Sequence, residues 1–525
     1  METTRRSRLH SLAHRGTIEG VTIAAPSGTD LCHYFGGVRY ALPPLQRWRR
    51  ARRLPSTFSY GSKDAPGRCD GGAGLCPQPE FRGVSPSEDI WTEDCFQCNV
   101  WVPTGEPPRG GWPVFMFIHG GWLQFGSPNG FNAAALLGES GFKCVVVMPA
   151  YRVNLFGFLY SAELQQDAAA VGETVGNHGF WDQRLAMEWT KENVHLFGGN
   201  PENITISGYS AGANSVFHQL AYDLRQPDDK AIVRQACILS NSPAVQPKAP
   251  AETQIQFDEL LAALDIPSSF SAIEKLARLR ALPPKTLLEA AKSIEVHQFR
   301  PTTDGGFIVP TLFQSLDSGD FARKLLARNI RLILGECADE HFLYGIWFPP
   351  KADTLDALRT RLIADYPERV NWTPDAWGRI YADMQVYHMQ RGLIHALTSN
   401  TAGVDASRLI YRYRIEFRAE CIEKSLPLEW GVTHSSDYPL WFWGNGDVLT
   451  PREKKSTDAA LIGPLSRFVQ GVSAEGSDGF GWGTSGKGVR VLRADGEVEI
   501  RGDAMWDVGV KMWKAVRDVA EKARL

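Results

Sequence analysis

The pentapeptide Gly208-Tyr209-Ser210-Ala211-Gly212 constrains this chain more than any other feature, because it joins the β-branched run Ile204-Thr205-Ile206 to a helical stretch from Ala213 to Leu220. A strand that enters a helix through so few residues must turn sharply. Glycine two positions to either side of Ser210 lets the backbone close without side-chain clashes and leaves the serine exposed at the end of a sheet. The first N–H groups of the helix lack partners within it, so they and the positive end of its dipole face any negative charge that develops beside the serine. A chain with 50 glycines in 525 residues produces such pentapeptides by composition, so placement and partners must give this one its meaning.

Those partners are present. The apolar run Val114-Phe115-Met116-Phe117-Ile118 reads as a buried strand and ends in His119-Gly120-Gly121-Trp122, a loop whose unhindered amides can point at an oxyanion. Ile330-Arg331-Leu332-Ile333-Leu334 reads as another strand, and it leads into Gly335-Glu336-Cys337-Ala338-Asp339-Glu340. A carboxylate just past a strand end is well placed to orient a histidine. Leu409 to Phe417 reads as the last major strand, and Gly431-Val432-Thr433-His434 follows it after a polar turn. The chain order is therefore serine, acid, histidine.

On these residues the chain resembles the type-B carboxylesterase family, which includes cholinesterases and many fungal esterases and lipases. The resemblance also rests on Tyr40-Ala41 with Pro43-Pro44, on Glu93-Asp94-Cys95 with Asn99-Val100, and on Tyr151-Arg152-Val153-Asn154 with Phe156-Gly157-Phe158. Gly176-Asn177, Asp182-Gln183 and Phe197-Gly198-Gly199-Asn200-Pro201 continue it, in family order, from about residue 17 to about residue 445. It implies an α/β-hydrolase fold: a large, mostly parallel central sheet flanked by helices, with helical insertions covering the pocket. The motifs interleave along the chain, so one domain over 1–525 is expected, with an insertion at about 247–299 and a less family-like part at about 446–525. Within the insertion, Phe257-Leu260-Leu261-Leu264 and Ile273-Leu276-Leu279 have helical spacing.

Carried over residue by residue, the resemblance makes Ser210 the nucleophile, His434 the base and Glu340 the acid, with Asp339 as a chemically equivalent neighbour. It assigns the oxyanion-hole amides to Gly120, Gly121 and Ala211. His341 stands where the family has glycine. Trp122, Phe125, Tyr209, Phe342, Trp347 and Trp441, with Trp443, are candidate walls of a hydrophobic pocket, although aromatic residues in such segments also serve as plain core. The implied reaction is hydrolysis of a hydrophobic small-molecule or lipid-like ester through an acyl-enzyme, with no cofactor and no metal. Lactone opening, thioester cleavage or acyl transfer would use the same groups, and a non-catalytic interaction module is the reading from another class. Tyr209 before the serine disfavours a quaternary ammonium substrate, because cholinesterases carry glutamate there.

Composition agrees with a globular hydrolase: 43% hydrophobic and 22% charged residues, with a net charge of -3 that gives no general attraction to nucleic acid or anionic membrane. The basic run Arg47-Trp48-Arg49-Arg50-Ala51-Arg52-Arg53 reads as a solvated or carboxylate-paired surface. Of nine cysteines, Cys76 and Cys95 resemble the family's first disulfide, and Cys69 and Cys98 are a neighbouring candidate pair. The first twenty residues lack an apolar signal core and no stretch is long enough to span a membrane, which together point to an intracellular, reducing location and leave the bridges open. The terminal Ala523-Arg524-Leu525 resembles a peroxisomal address, an alternative to the cytoplasm. Oligomeric state is not legible.

Overall fold

The computed structural model describes residues 2–80, 88–243, 247–347, 374–398, 405–471 and 480–522. A single large sheet organises them. Its strands in chain order are β1 Thr4–Ser11, β2 Thr17–Ala24, β3 Asp30–Arg39, β4 Gln97–Pro103, β5 Trp112–Ile118 and β6 Val145–Pro149. They continue with β7 Gly199–Tyr209, β8 Val233–Leu239, β9 Arg331–Cys337, β10 Ile410–Ile415, β11 Val489–Leu492 and β12 Val498–Arg501. The spatial order is β1-β2-β3-β4-β6-β5-β7-β8-β9-β10-β11-β12, with the short strand Gly67–Arg68 added against β2. From β6 to β11 every pairing is parallel, and the antiparallel pairings lie at the two edges. This is the mostly parallel, helix-flanked sheet of an α/β-hydrolase.

The continuous apolar composition of the central strands follows from burial on both faces. Along β5, Val114, Met116 and Ile118 enter one apolar cluster, and Phe115 and Phe117 enter the cluster on the opposite face. Each such side chain taken fully from water contributes about 1.5–3 kcal/mol. Helix α1 (His178–Asn193) and helix α2 (Ala211–Asp223) pack on the first of these faces. Two buried ion pairs fix them. Arg152 grips Asp182 of α1 at 2.8 and 2.7 Å, and Arg184 of α1 meets Asp223 of α2 at 2.6 Å.

The expected insertion forms three helices: α3 Pro250–Ala263, α4 Ala272–Ala281 and α5 Pro284–Ser293. Proline in the first turn of α3 and α5, and the Ser271 and Glu274 capping box of α4, explain where they start. Leu276 and Leu279 are buried while Ile273 is 82% exposed, so the apolar stripe is narrower than the sequence pattern.

Two details differ from the sequence reading. Strand β10 is not the last, since β11 and β12 extend the sheet; at four residues each, they are too short to carry a periodic signal. The basic run is paired with carboxylates as expected, Arg47 with Glu93, Arg49 with Asp167 and, at the surface, Arg53 with Glu192, but it is only partly a surface because Trp48 within it is buried. Among the described residues no helix is long and apolar enough to cross a membrane. The terminal tripeptide 523–525 lies outside the described residues.

The glycine after the serine turn sets a limit that can be measured. A Cβ on Gly212 would stand 2.0 Å from the Ile118 carbonyl oxygen, whereas one on Gly141 would meet nothing within 4 Å. Gly212→Ala should therefore lower unfolding stability by about 3 kcal/mol or more, while Gly141→Ala should change it little; denaturant titration of both variants checks this, and equal stabilities would contradict the packing described.

Candidate active site

Ser210 sits between β7 and α2 with φ 57° and ψ -124°, a conformation that L side chains rarely adopt and that costs about 1–3 kcal/mol. The surroundings hold it there. Its N–H donates to the Leu239 carbonyl at 2.9 Å, and its own carbonyl accepts from Asn241 Nδ2 at 2.7 Å. Both glycines are required by contact, since a Cβ on Gly208 would lie 2.3 Å from the Gly212 carbonyl oxygen. The elbow thus rides directly on the end of β5. This close passage brings Gly120 beside the serine: a Cβ at that position would stand 3.1 Å from Ser210 Cβ.

The Gly120-Gly121 loop is shaped from beneath by the segment after β6. Tyr151 donates its hydroxyl to the His119 carbonyl at 2.9 Å and stacks on the His119 ring at 4.4 Å. Asn154 donates its backbone N–H to Leu123 O at 2.6 Å and its side-chain amide to Gln124 O at 3.0 Å. Burial pushes His119 down to about 4, so its ring is neutral and structural. Gly121 has φ 108°, and a Cβ there would strike the Phe125 carbonyl at 2.1 Å. The N–H groups of Gly120, Gly121 and Ala211 take no part in the turn and loop hydrogen bonds among the described residues.

Glu340 and His434, 94 residues apart, meet in the interior, with Glu340 Oε2 2.5 Å from His434 Nδ1. Glu340 is anchored at its other oxygen, which accepts the Cys337 N–H at 2.8 Å, and at its backbone N–H, which donates to the Tyr387 hydroxyl at 2.8 Å. Asp339 does other work: its carboxylate accepts the Val432 N–H at 3.0 Å and so holds the strand end against the histidine loop. The His434 ring lies between those of Tyr209 and Tyr344, each with centroids 5.1 Å away. Among the described residues, the Ser210 hydroxyl makes no hydrogen bond to His434 in this structure.

Ser210 lines a cavity of about 30 Å³ together with Trp122, Asn214, His218, Asn241, Arg300 and Gln385. Pro247 and Pro301 also line it, so the helical insertion reaches the site through its two ends rather than through its apolar stripes. Of the aromatic wall candidates whose side chains are described, only Trp122 lines it. Phe125 packs on Trp122 at 5.6 Å, and Phe342 lines a separate cavity beside Arg379 and His388. Tyr209 turns into the core, where its hydroxyl donates to Asp437 at 2.6 Å and accepts the Ser435 N–H at 2.8 Å. Trp441 is core as well, its indole N–H bound to Asp437 at 2.9 Å, and Trp443 joins the same cluster. Their proximity to motifs in sequence misled because both rings turn into the buried face of the sheet. The Trp347 side chain lies outside the described residues.

Cys76 and Cys95 are buried free thiols, and no bridge joins them. Cys69 and Cys98 are free as well, with the Cys98 thiol donating to the Val38 carbonyl at 3.4 Å. The sequence reading missed Asn241, Gln385, Tyr344, Tyr387 and Asp437. For Asn241 a signal existed, since it follows β8 at the sheet edge that carries Ser210; the others reach the site only through long-range packing.

Comparison with known proteins gives a consistent result. The model of the carboxylesterase family matches residues 8–369. A carboxylic ester hydrolase of Gibberella moniliformis is 42% identical, over 98% of this chain and 97% of that protein. An esterase/lipase of Schizosaccharomyces pombe is 37% identical over 96% of each chain, and the para-nitrobenzyl esterase of Bacillus subtilis is 28% identical over 63% of this chain and 64% of its own.

Asp437 offers a test of the network around Tyr209. Burial raises its carboxyl to about 6, above the unfolded value of about 3.9. The folded chain therefore keeps a proton that the unfolded chain releases. That contribution to stability is complete below about pH 4 and is lost as pH rises through 6. The stability advantage of the native chain over Asp437→Asn should shrink from pH 4 to pH 7 in denaturant titrations, and an advantage that grows with pH would contradict this environment.

Proposed function

The chain belongs to the carboxylesterase family and is a serine carboxylesterase, and from that premise we propose that Ser210, His434 and Glu340 are its catalytic triad. The observation that carries the assignment is the buried Glu340 Oε2 to His434 Nδ1 contact of 2.5 Å. A carboxylate at Nδ1 fixes the tautomer that leaves Nε2 free to accept a proton, and it stabilises the imidazolium once the proton arrives. The Cys337 N–H holds that carboxylate in turn, and the Tyr387 hydroxyl holds the Glu340 backbone N–H.

Neutral His434 takes the Ser210 proton as the hydroxyl attacks the ester carbonyl. The serine to histidine hydrogen bond closes when substrate enters, as such contacts often tighten only in the substrate complex. The N–H groups of Gly120, Gly121 and Ala211 receive the oxyanion, each worth on the order of 3 kcal/mol of barrier. Imidazolium then protonates the leaving alcohol. Water, deprotonated by the same imidazole, releases the acid from the acyl-enzyme and restores the serine.

The cavity supports small, polar esters over lipid-like ones. Its volume of about 30 Å³ holds one or two waters, and amide, imidazole and guanidinium groups make up much of its wall. Turnover of p-nitrophenyl esters should peak at short acyl chains, and Ser210→Ala should abolish nearly all of it. A variant with undiminished turnover would overturn the assignment.

A second pair of variants separates the two neighbouring carboxylates. Glu340→Gln should reduce kcat by a factor of about 10³ to 10⁴, because it favours the wrong tautomer. Asp339→Asn, which alters only a loop contact, should cost less than about tenfold. The reverse ranking in steady-state kinetics would transfer the role to Asp339.

A further inference from the structure

Arg300 is half-buried and, like the buried Arg15, which binds only backbone carbonyls, it lacks the carboxylate partner that the four other buried arginines have. Arg152, Arg184, Arg391 and Arg412 each face a carboxylate, with pairs at 2.7, 2.6, 3.0 and 2.5 Å. Arg300 forms no ion pair among the described residues. Its guanidinium donates to Gln298 Oε1 at 3.1 and 2.6 Å and to the Tyr381 hydroxyl at 3.3 Å, all neutral acceptors. It lines the same cavity as Ser210, and no carboxylate lines that cavity among the described residues.

A second cation stands beside it. Lys248 donates to the Gln298 carbonyl at 3.0 Å and to Gln256 Oε1 at 3.1 Å, so both cations converge on one glutamine. Burial, and next the nearby Arg300 charge, push Lys248 down to about 8. Glu252 and Glu259 offset part of the Lys248 charge, but no carboxylate pairs Arg300 where it lines the cavity among the described residues, and an anion there relieves the remaining positive potential.

The position is built rather than incidental. Gln124, in the loop after Gly120 and Gly121, clamps the residue before Arg300 from both sides: its amide donates to Phe299 O at 2.7 Å and its oxygen accepts Phe299 N–H at 3.0 Å. The backbone that carries Arg300 is therefore tied to the loop that follows Gly120 and Gly121.

We propose that Arg300, with the field of Lys248 behind it, recognises a carboxylate on the substrate, so that the enzyme's preferred esters are anionic. This rests on Ser210 being the nucleophile of the cavity. The reaction is unchanged. The ester C–O bond breaks, water supplies hydroxyl to the acyl carbon and a proton to the leaving oxygen, and the recognised carboxylate passes through intact. Guanidinium bound to carboxylate makes charge-assisted hydrogen bonds of fixed geometry, and a buried site built to pair a polar group discriminates strongly against analogues that lack it.

Two matched pairs of esters test the proposal and locate the charge. Monoethyl adipate against ethyl hexanoate places it in the acyl half, and 4-acetoxybenzoate against 4-methylphenyl acetate places it in the leaving half. In the native enzyme at low salt, kcat/KM should favour the anionic member of at least one pair, and added salt should reduce that preference. Arg300→Gln should lower the anionic-to-neutral ratio by about tenfold or more, chiefly through KM, and Arg300→Lys should restore part of it. Because the readout is a ratio, loss of folded enzyme does not mimic the effect. The proposal is overturned if the native enzyme prefers the neutral ester of both pairs, or if Arg300→Gln moves the ratio by less than about threefold. Ser210→Ala run alongside keeps the two readings apart: neutral esters cleaved by the native enzyme and not by this variant uphold the triad whatever the ratio does, whereas no cleavage of any ester removes the triad reading itself.

Discussion

Backbone contact between the serine turn and the end of β5 is the constraint from which the rest of the site follows. Gly212 lies so close to the Ile118 carbonyl, and Gly208 so close to Gly212, that neither position has room for a methyl group. This closeness holds Ser210 at positive φ, starts α2 directly beneath it, and sets Gly120 beside its Cβ. The Gly120 backbone and the start of α2 at Ala211 are thereby brought beside the Ser210 side chain before any substrate arrives. Such preorganisation costs strain in the folded state, and the extensive burial on both sheet faces offsets it.

A second layer links the two arms of the site. The π-helical turn Asp383–Tyr387 sends Gln385 to Asn241 at 2.9 Å, and Asn241 holds the Ser210 carbonyl. Two residues on, Tyr387 binds the Glu340 backbone and donates to Ala338 O at 2.8 Å. One widened helical turn therefore reaches Ser210 through Asn241 and the Glu340 loop directly. Insertions of this kind occur often at functional sites, because they place side chains where a regular α-helix cannot. On the opposite side Tyr209 and Asp437 join the serine turn to the histidine loop through Ser435. Asn241, Gln385, Tyr387, Tyr209 and Asp437 thus bond to one another or to the backbone of Ser210 and Glu340, which helps to keep that part of the interior fixed.

Much of this was legible in the sequence, for a physical reason. The parallel strands β5, β7 and β9 read as apolar runs because both of their faces are buried, and the serine turn read as a turn because glycine spacing is dictated locally. Glu340 lies just past the end of β9, where open α/β sheets put their functional loops, whereas His434 follows β10 only after a longer connection. What failed was the pocket. Tyr209, Trp441 and Trp443 lie near motifs in the chain, yet side-chain direction turns them into the core, and no local pattern encodes direction after an irregular turn. Arg300, Gln385 and Tyr387 left no signal at all, since each acts through neighbours far away in sequence. Cys76 and Cys95 resemble a disulfide pair in sequence, and the structure keeps both as thiols.

The claim that Ser210 alone becomes the nucleophile is tested most directly by mass spectrometry of the native enzyme after reaction with a fluorophosphonate ester. The account requires a single phosphonyl adduct on the peptide containing Ser210, formed in step with loss of esterase activity. An adduct on a different residue, or full inactivation with Ser210 unmodified, would contradict it.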